Sequence, residues 1–217
     1  MKNYRGYALL SISSAVIALA ISLMLKASVG VGAFDAFTQS VSLMAGIRIG
    51  TVAMTVNLLC VLGQLILLKR DFGFNRLLQI PMSVLVGMLV NFFYYDLLGT
   101  AQIENYVTAL ITFFISLVTV AFSVSMIMTL NLITPPIESF CMELTKSVPL
   151  KFSTIRQLVD ILCIVVSVVI TFTFGFTLPV REGTVIGMLI FAPLLGFFIN
   201  KIQPVLLKKG IVQEAGI

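Results

Sequence analysis

The chain has 217 residues, of which 59% are apolar and 11% are charged, and its mean hydropathy is +1.11. Soluble domains are typically about 45–50% apolar and about 25% charged, and disordered chains combine low hydrophobicity with high charge, so both classes are excluded. Because the chain has 0 His, and its 3 Cys share no metal-ligand spacing, we expect no metal site, no cofactor and no His-dependent triad.

Six uncharged segments are each long enough to cross a bilayer, since a spanning helix needs about 20 mostly apolar residues. In chain order they are Gly6–Leu25, Ile49–Leu68, Leu77–Tyr95, Asn105–Ile137, Ile161–Val180 and Gly183–Asn200. The first is longer than the core of a signal peptide, which has about 7–15 residues, and no convincing cleavage site follows it. The sequence therefore predicts an all-α polytopic membrane protein, with residues 1–217 forming a single transmembrane domain.

The basic residues predict the orientation of this domain. With the N-terminus in the cytoplasm and six crossings, 11 of the 14 basic residues lie on the cytoplasmic side, and only Lys26, Arg48 and Arg181 lie outside. Cytoplasmic loops of membrane proteins carry an excess of Lys and Arg, so we expect both termini to be cytoplasmic. The net charge of +5 then reports topology, and we expect no nucleic-acid partner.

The chain resembles itself at an offset of 103 residues. Three polar pairs carry the match, namely Asp35 with Glu138, Arg48 with Lys151, and Asn57 with Asp160. Shared composition of apolar helices is the alternative explanation. If the match is a true repeat, each copy holds three crossings, and this odd number inverts the second copy. The predicted repeats cover about 8–98 and 105–203, followed by a cytoplasmic tail at 204–217, and such inverted repeats are typical of transporters.

Two short polar segments, Phe34–Ala45 and Ile137–Val148, have a helical spacing of apolar residues. Each would be about 18 Å long as a helix, which is too short to span. The first follows a turn that contains Gly30 and Gly32, and the second follows Thr134, Pro135 and Pro136. Either these are interfacial helices on the membrane surface, or they are re-entrant half-helices whose preceding turns line a cavity.

Acidic side chains mark the start of both short helices, since Asp35 and Glu138 fall in the first turns, where a helix dipole favours negative charge. If the second crossing starts near Ile49 and the fifth near Phe152, Asn57 and Asp160 each lie about 12 Å into their crossing. An ionisable group at that depth is a candidate functional residue. Arg156 precedes Asp160 by one turn, so the two either form a structural ion pair or belong to a solute or proton site.

The polar residues Thr51 and Thr154 match across the repeats and are further candidates for lining the site. Packing between helices is the alternative role for both side chains.

Several motifs resemble those of a bacterial membrane protein group. The segment Gly30–Asp35 reads Gly-Val-Gly-Ala-Phe-Asp, and Gly46–Thr51 reads Gly-Ile-Arg-Ile-Gly-Thr. Both are similar to motifs of the YczE/YyaS/YitT group, as is Arg181–Gly187. The resemblance covers about 10–203, and the shorter YczE-like branch fits better, because no soluble C-terminal domain follows. Thr134–Glu138 varies within the group, so the resemblance supports a role for Asp35 more than for Glu138.

The resemblance implies a protein of the bacterial cytoplasmic membrane and implies no particular activity. From the residues we expect a small secondary transporter of a small-molecule solute, coupled to protons or Na⁺ or driven by solute flow. A passive channel of the same layout and a non-transporting membrane partner remain alternatives. An enzyme is not expected, because no nucleophile accompanies an acid–base pair. The oligomeric state stays open, with a homodimer as one option.

Overall fold

The structure is a computed structural model that describes residues 4–209, and within this range it is all helical. Its helices are α1 (Tyr4–Ala27), α2 (Ala33–Ala45), α3 (Ile49–Leu68), α4 (Gln79–Asn91), α5 (Tyr106–Leu130), α6 (Pro136–Ser147), α7 (Phe152–Phe174) and α8 (Glu182–Lys208). A π turn, Phe92–Leu97, extends α4. The predicted tail begins inside α8, and its residues 210–217, like Lys2 in the orientation argument, lie outside the described range.

Six of these helices are long and apolar enough to cross a membrane, which confirms the predicted number of spans. They are α1, α3, α4 with its flanking turns, α5, α7 and α8. The uncharged runs alone do not give the bounds of two spans. Helix α7 begins at Phe152, which is the start that the predicted depth of Asp160 requires, and it ends at Phe174, because Gly175 adopts the left-handed conformation. The long fourth run contains α5 and a turn, because Asn131 adopts the left-handed conformation and ends the helix.

The helices α1 and α5 form the centre of the bundle, with α4 packed on α1 and α8 packed on α5. Small side chains make this possible, because Ala18 and Ala121 are completely buried between the helices. Ser22 and Ser125 return their hydroxyls to the carbonyls of these alanines, at 2.8 Å and 2.7 Å. Small residues allow membrane helices to approach closely while the hydroxyls remain hydrogen-bonded.

Both short helices begin inside the bundle and end at its surface. In α2, Ala33 and Ala36 are buried, whereas Leu43 near its end is exposed. In α6, Pro136 and Glu138 belong to a buried first turn. The helix α2 packs on α3 and α7, and α6 packs on the same two helices. The two N-termini are thereby placed in the interior of the protein.

Candidate solute-binding site

Two cavities lie on either side of the first turns of α2 and α6. The first, of about 140 Å³, reaches α3 and α4 and is lined by Asp35, Asn57 and the turn Thr134–Pro136. The second, of about 130 Å³, reaches α7 and α8. Six residues line both cavities: Ile17, Ile21, Phe34, Asp35, Val124 and Ile137. The shared residues come from α1, α5 and the first turns of the two short helices; together they form a partition, and Asp35 is its ionisable member.

Four charged residues line the second cavity, namely Asp35, Glu138, Arg156 and Asp160. The guanidinium of Arg156 pairs with the carboxylate of Asp160 one turn later, so the ion pair expected from sequence is present. Its Nε also lies 3.7 Å from Glu138 Oε1. These three residues are buried, with at most 9% of their surface exposed. The sequence placed them on two separate helices, and the fold brings them into one cluster.

Asp35 differs from the other acids, because its carboxyl group has no hydrogen bond or ion pair to any residue in 4–209. Gly32 explains how the side chain is accommodated: a Cβ atom at that position would lie 2.8 Å from Asp35 Oδ2. The carboxyl group thus folds back over the glycine that precedes its helix. This contact accounts for the spacing of the Gly-x-x-Asp motif, and Gly32 itself lines the second cavity.

Gly30 has a different role from the one expected for a cavity-lining residue. Its φ of 148° lies in the region that favours glycine, and a Cβ atom there would lie 2.5 Å from the backbone nitrogen of Thr184. The Val31 N–H donates to Thr184 Oγ1 at 3.2 Å, and the Gly183 N–H donates to the Val29 carbonyl at 3.2 Å. The glycine-rich turn is therefore docked on the start of α8, and Gly30 lines neither cavity.

The remaining predicted site residues are separated by the fold. Asn57 lines the first cavity and Asp160 the second, so the matched pair does not meet. Thr51 accepts a hydrogen bond from Asn91 Nδ2 at 3.0 Å between α3 and α4. Thr154 is exposed on α7 and lines neither cavity. The two threonines, although they match in sequence, thus have different surroundings.

A polar network that sequence reasoning did not identify holds α6 against α3 and α4. Arg76 donates to Gln64 Oε1 at 3.1 Å and to Glu143 Oε1 at 2.7 Å. Gln64 donates to the Pro136 carbonyl at 3.2 Å, and Ser139 donates back to Gln64 Oε1 at 2.8 Å. An arginine just before an apolar run was a usable signal, since an uncompensated basic group there needs a partner.

Glu143 carries the negative charge of this network, and Lys146 pairs with it at 2.9 Å. Burial by itself would raise the pKa of Glu143. Hydrogen bonds from Lys146 and Arg76 outweigh the burial and hold the pKa of this carboxyl below its usual value. The second half of α6 is thus held by ion pairs at Glu143, and its start by the hydrogen bond from Gln64 to Pro136.

The helix α2 is held by neutral groups instead. The hydroxyls of Ser40 and Ser167 lie 2.6 Å apart, and Ser167 donates to the Ala36 carbonyl at 3.2 Å. Both serines are buried between α2 and α7. Serines within apolar segments gave no signal that distinguished these two from the others in the chain.

A wider groove of about 500 Å³ leads from the end of the bundle near Lys146 to the charged cluster. It runs between α6, α7 and α8, and Glu138 and Arg156 line its inner part. Gly196 of α8 faces it, and a Cβ atom there would meet nothing within 4 Å. The buried cluster is therefore approached along α8 from this groove, and a second groove of about 380 Å³ between α7 and α8 also reaches Arg156 and Asp160.

The comparisons with known proteins identify a family. The family model described as "Family of unknown function (DUF6198)" matches residues 4–200, so the chain belongs to that family. No curated protein and no solved structure matches it. The fold and the site must therefore be interpreted from the geometry of the chain itself.

Proposed function

We propose that this member of the family of unknown function DUF6198 is a small secondary transporter, in which a solute binds between the first turns of α2 and α6. One observation carries the proposal: Asp35, an ionisable residue, lines cavities on both sides of the partition formed by the six shared residues. Ionisable residues within membrane helices mark solute and proton pathways. Interrupted helices at mid-membrane are a recurrent way to form such sites.

We also propose that the two halves of the chain are inverted repeats. Their equivalent serines support this, because Ser22 contacts the carbonyl of Val90 at 3.5 Å and Ser125 contacts that of Leu195 at 3.1 Å. The packing of α2 on α7 and of α6 on α3 supports it further. Three crossings in each half would give the halves opposite orientation in the bilayer.

In this proposal α2 and α6 are re-entrant half-helices that enter from opposite faces, with both termini of the chain in the cytoplasm of a bacterial cell. Their buried first turns support this arrangement. In a variant lacking the native cysteines, residue 35 should be labelled from outside and residue 138 from inside only by small reagents that reach the cavities. Labelling of both positions like surface residues would contradict re-entry.

Transport itself is tested with proteoliposomes exposed to a defined mixture of small metabolites. We expect accumulation of at least one solute above its equilibrium level when a pH or Na⁺ gradient is imposed. Equilibration without accumulation would indicate a passive channel instead. Asp160→Asn and Asp160→Ala should abolish uptake, and unchanged uptake in both would remove this residue from the mechanism.

The matched control is Asp96→Asn, which makes the same chemical change on a carboxyl group that is exposed.

Absence of protein-dependent uptake for every solute would contradict both transport and channel function and favour a membrane assembly partner. The proposal involves no cofactor and no catalytic step. It applies equally to a monomer and to a homodimer, because the cavity-lining residues all come from one chain.

A further inference from the structure

The second cavity contains more negative than positive charge. Asp35, Glu138 and Asp160 line it together with a single basic residue, Arg156. The N-termini of α2 and α6 add about +0.5 each through their helix dipoles. With all groups ionised, the sum is about −1, and an uncompensated charge away from water is costly. The site therefore lacks about one positive charge.

The missing positive charge belongs at Asp35. Arg156 is occupied by Asp160 and Glu138, whereas no residue in the described range pairs with the Asp35 carboxyl group. Asp35 is partly buried and lines both cavities. A carboxylate in this position is an acceptor without a donor, so a ligand with a positively charged N–H group would complete it.

A second unsatisfied group lies in the same cavity and is independent of the charge sum. Arg156 is 91% buried, and its Nε–H is without a hydrogen-bond acceptor. Its ion-pair partner Glu138 lies at 3.7 Å, too far to accept a hydrogen bond, so a ligand oxygen that reached this N–H group would be its acceptor. That oxygen should be neutral, because a carboxylate there would lie close to Glu138 Oε1, which is only 3.7 Å from the same nitrogen.

The rest of the lining is apolar and includes two aromatic rings. Ile17, Leu117 and Val120 form one wall, and the rings of Phe34 and Phe191 complete it. Apolar walls with few polar groups favour a ligand with an apolar body. Aromatic faces also attract a cation placed against them.

We propose that this cavity binds a small monovalent ammonium ion that has an apolar body and one neutral oxygen acceptor, as an amino alcohol does. The ammonium group would donate to Asp35 and the oxygen would accept from Arg156. This inference rests on the proposed transport function, since it names the class of solute that the same site takes.

Four probes that share an isobutyl unit test the proposal through the thermal unfolding of the full-length protein in nanodiscs. Valinol carries an ammonium group and a hydroxyl, isobutylamine only an ammonium group, valine an ammonium group and a carboxylate, and isovalerate only a carboxylate. A ligand that binds only the folded state raises Tm. We expect valinol to raise Tm with an affinity about tenfold higher than that of isobutylamine, because one charged hydrogen bond is lost.

Valine and isovalerate should leave Tm unchanged. A shift with isovalerate, or a shift with valine equal to that with valinol, would overturn the proposal. No shift with either valinol or isobutylamine would also overturn it, and would indicate that Asp35 is satisfied by a proton alone.

Two variants test whether Asp35 holds the ammonium group. Asp35→Asn removes the charge at nearly constant shape and should weaken valinol at least tenfold, whereas the control Asp96→Asn should not. Gly32→Ala keeps the charge and displaces the carboxyl group, so it should weaken valinol in the same direction if Asp35→Asn does not fold. Wild-type affinity in both variants would overturn the assignment.

This experiment needs no gradient and no flux, so its outcome is separable from that of the transport assay. Binding of valinol without any protein-dependent uptake would contradict the proposed transport function but support the proposed class of ligand. Uptake of an anion together with no ammonium binding would contradict the proposed class of ligand but support the transport function.

Discussion

In the proposed repeat, the contact between α3 and α4 corresponds to the contact between α7 and α8, yet the two contacts are packed differently. A Cβ atom on Gly87 would lie 2.5 Å from the Gly50 carbonyl oxygen, so the first pair of helices touches backbone to backbone. Gly196 faces an open groove instead. The α3–α4 contact is therefore tightly packed at Gly87, whereas the side of α8 that carries Gly196 is open. Such an asymmetry is what the proposed alternating access between two similar halves would require.

The largest expected effect comes from filling the two glycine positions. Gly50→Ala places a methyl group against the Gly87 carbonyl oxygen and should destabilise the protein by about 1–3 kcal/mol, the usual cost of overpacking. The matched control Gly196→Ala meets open space and should stabilise α8 by about 0.5–1 kcal/mol, because alanine favours a helix over glycine. Thermal unfolding measures both. Equal effects would contradict the contrast between the two contacts.

The next effect concerns two asparagines that match at an offset of 109 residues, Asn91 at the end of α4 and Asn200 in α8. Asn91 accepts from the Gly50 N–H at 2.9 Å and donates to Thr51 at 3.0 Å, so Asn91→Ala should cost about 1–3 kcal/mol by leaving a partly buried N–H unsatisfied. Asn200 is exposed on α8, and Asn200→Ala should change the free energy of unfolding by less than about 0.5 kcal/mol. A similar loss of stability in both variants would mean that the hydrogen bonds of Asn91 between α3 and α4 contribute no more than the exposed side chain of Asn200.

A smaller effect is expected from pH at the ion pairs that Glu143 of α6 forms with Arg76 and Lys146. The pKa of Glu143 is lower in the folded protein than its usual value, so these ion pairs contribute stability above the unfolded pKa of about 4.3. This contribution is lost as the pH falls through the lower folded pKa. Glu143→Gln should therefore lower Tm at neutral pH and flatten its decline below about pH 4.3. Glu104→Gln, on an exposed acid, is the control and should keep the wild-type pH profile.

The smallest effect is expected at the surface pair of Arg48 and Asp96. Their charged atoms lie 3.9 Å apart, and both side chains are more than half exposed. Exposed pairs contribute about 0–1 kcal/mol, so Asp96→Asn should change Tm little, and less still in high salt. A loss of stability comparable to that of Asn91→Ala would mean that this ion pair, rather than the contact between Gly50 and Gly87, holds α3 against α4.

The sequence predicted the six spans and the two short helices well, because charge and hydropathy determine both. The start of α7 near Phe152 was also predicted, and the uncharged run begins later only because a buried ion pair lets Arg156 and Asp160 remain inside an apolar helix. The site was predicted in part: the acids were identified, but the partner of Glu138 comes from another helix. The hydrogen bonds of Arg76 and Ser167 depend on tertiary packing, and no periodicity within one segment reports that.

The partition that carries Asp35 has a consequence for the rate of passage. Because six residues line both cavities, the cavities adjoin each other at these side chains. Side chains change rotamer in picoseconds to nanoseconds when they are not tightly held, whereas movements of whole helices take microseconds to milliseconds. The slow step of any passage would then lie at the α3–α4 and α7–α8 contacts, and the partition would set selectivity rather than speed.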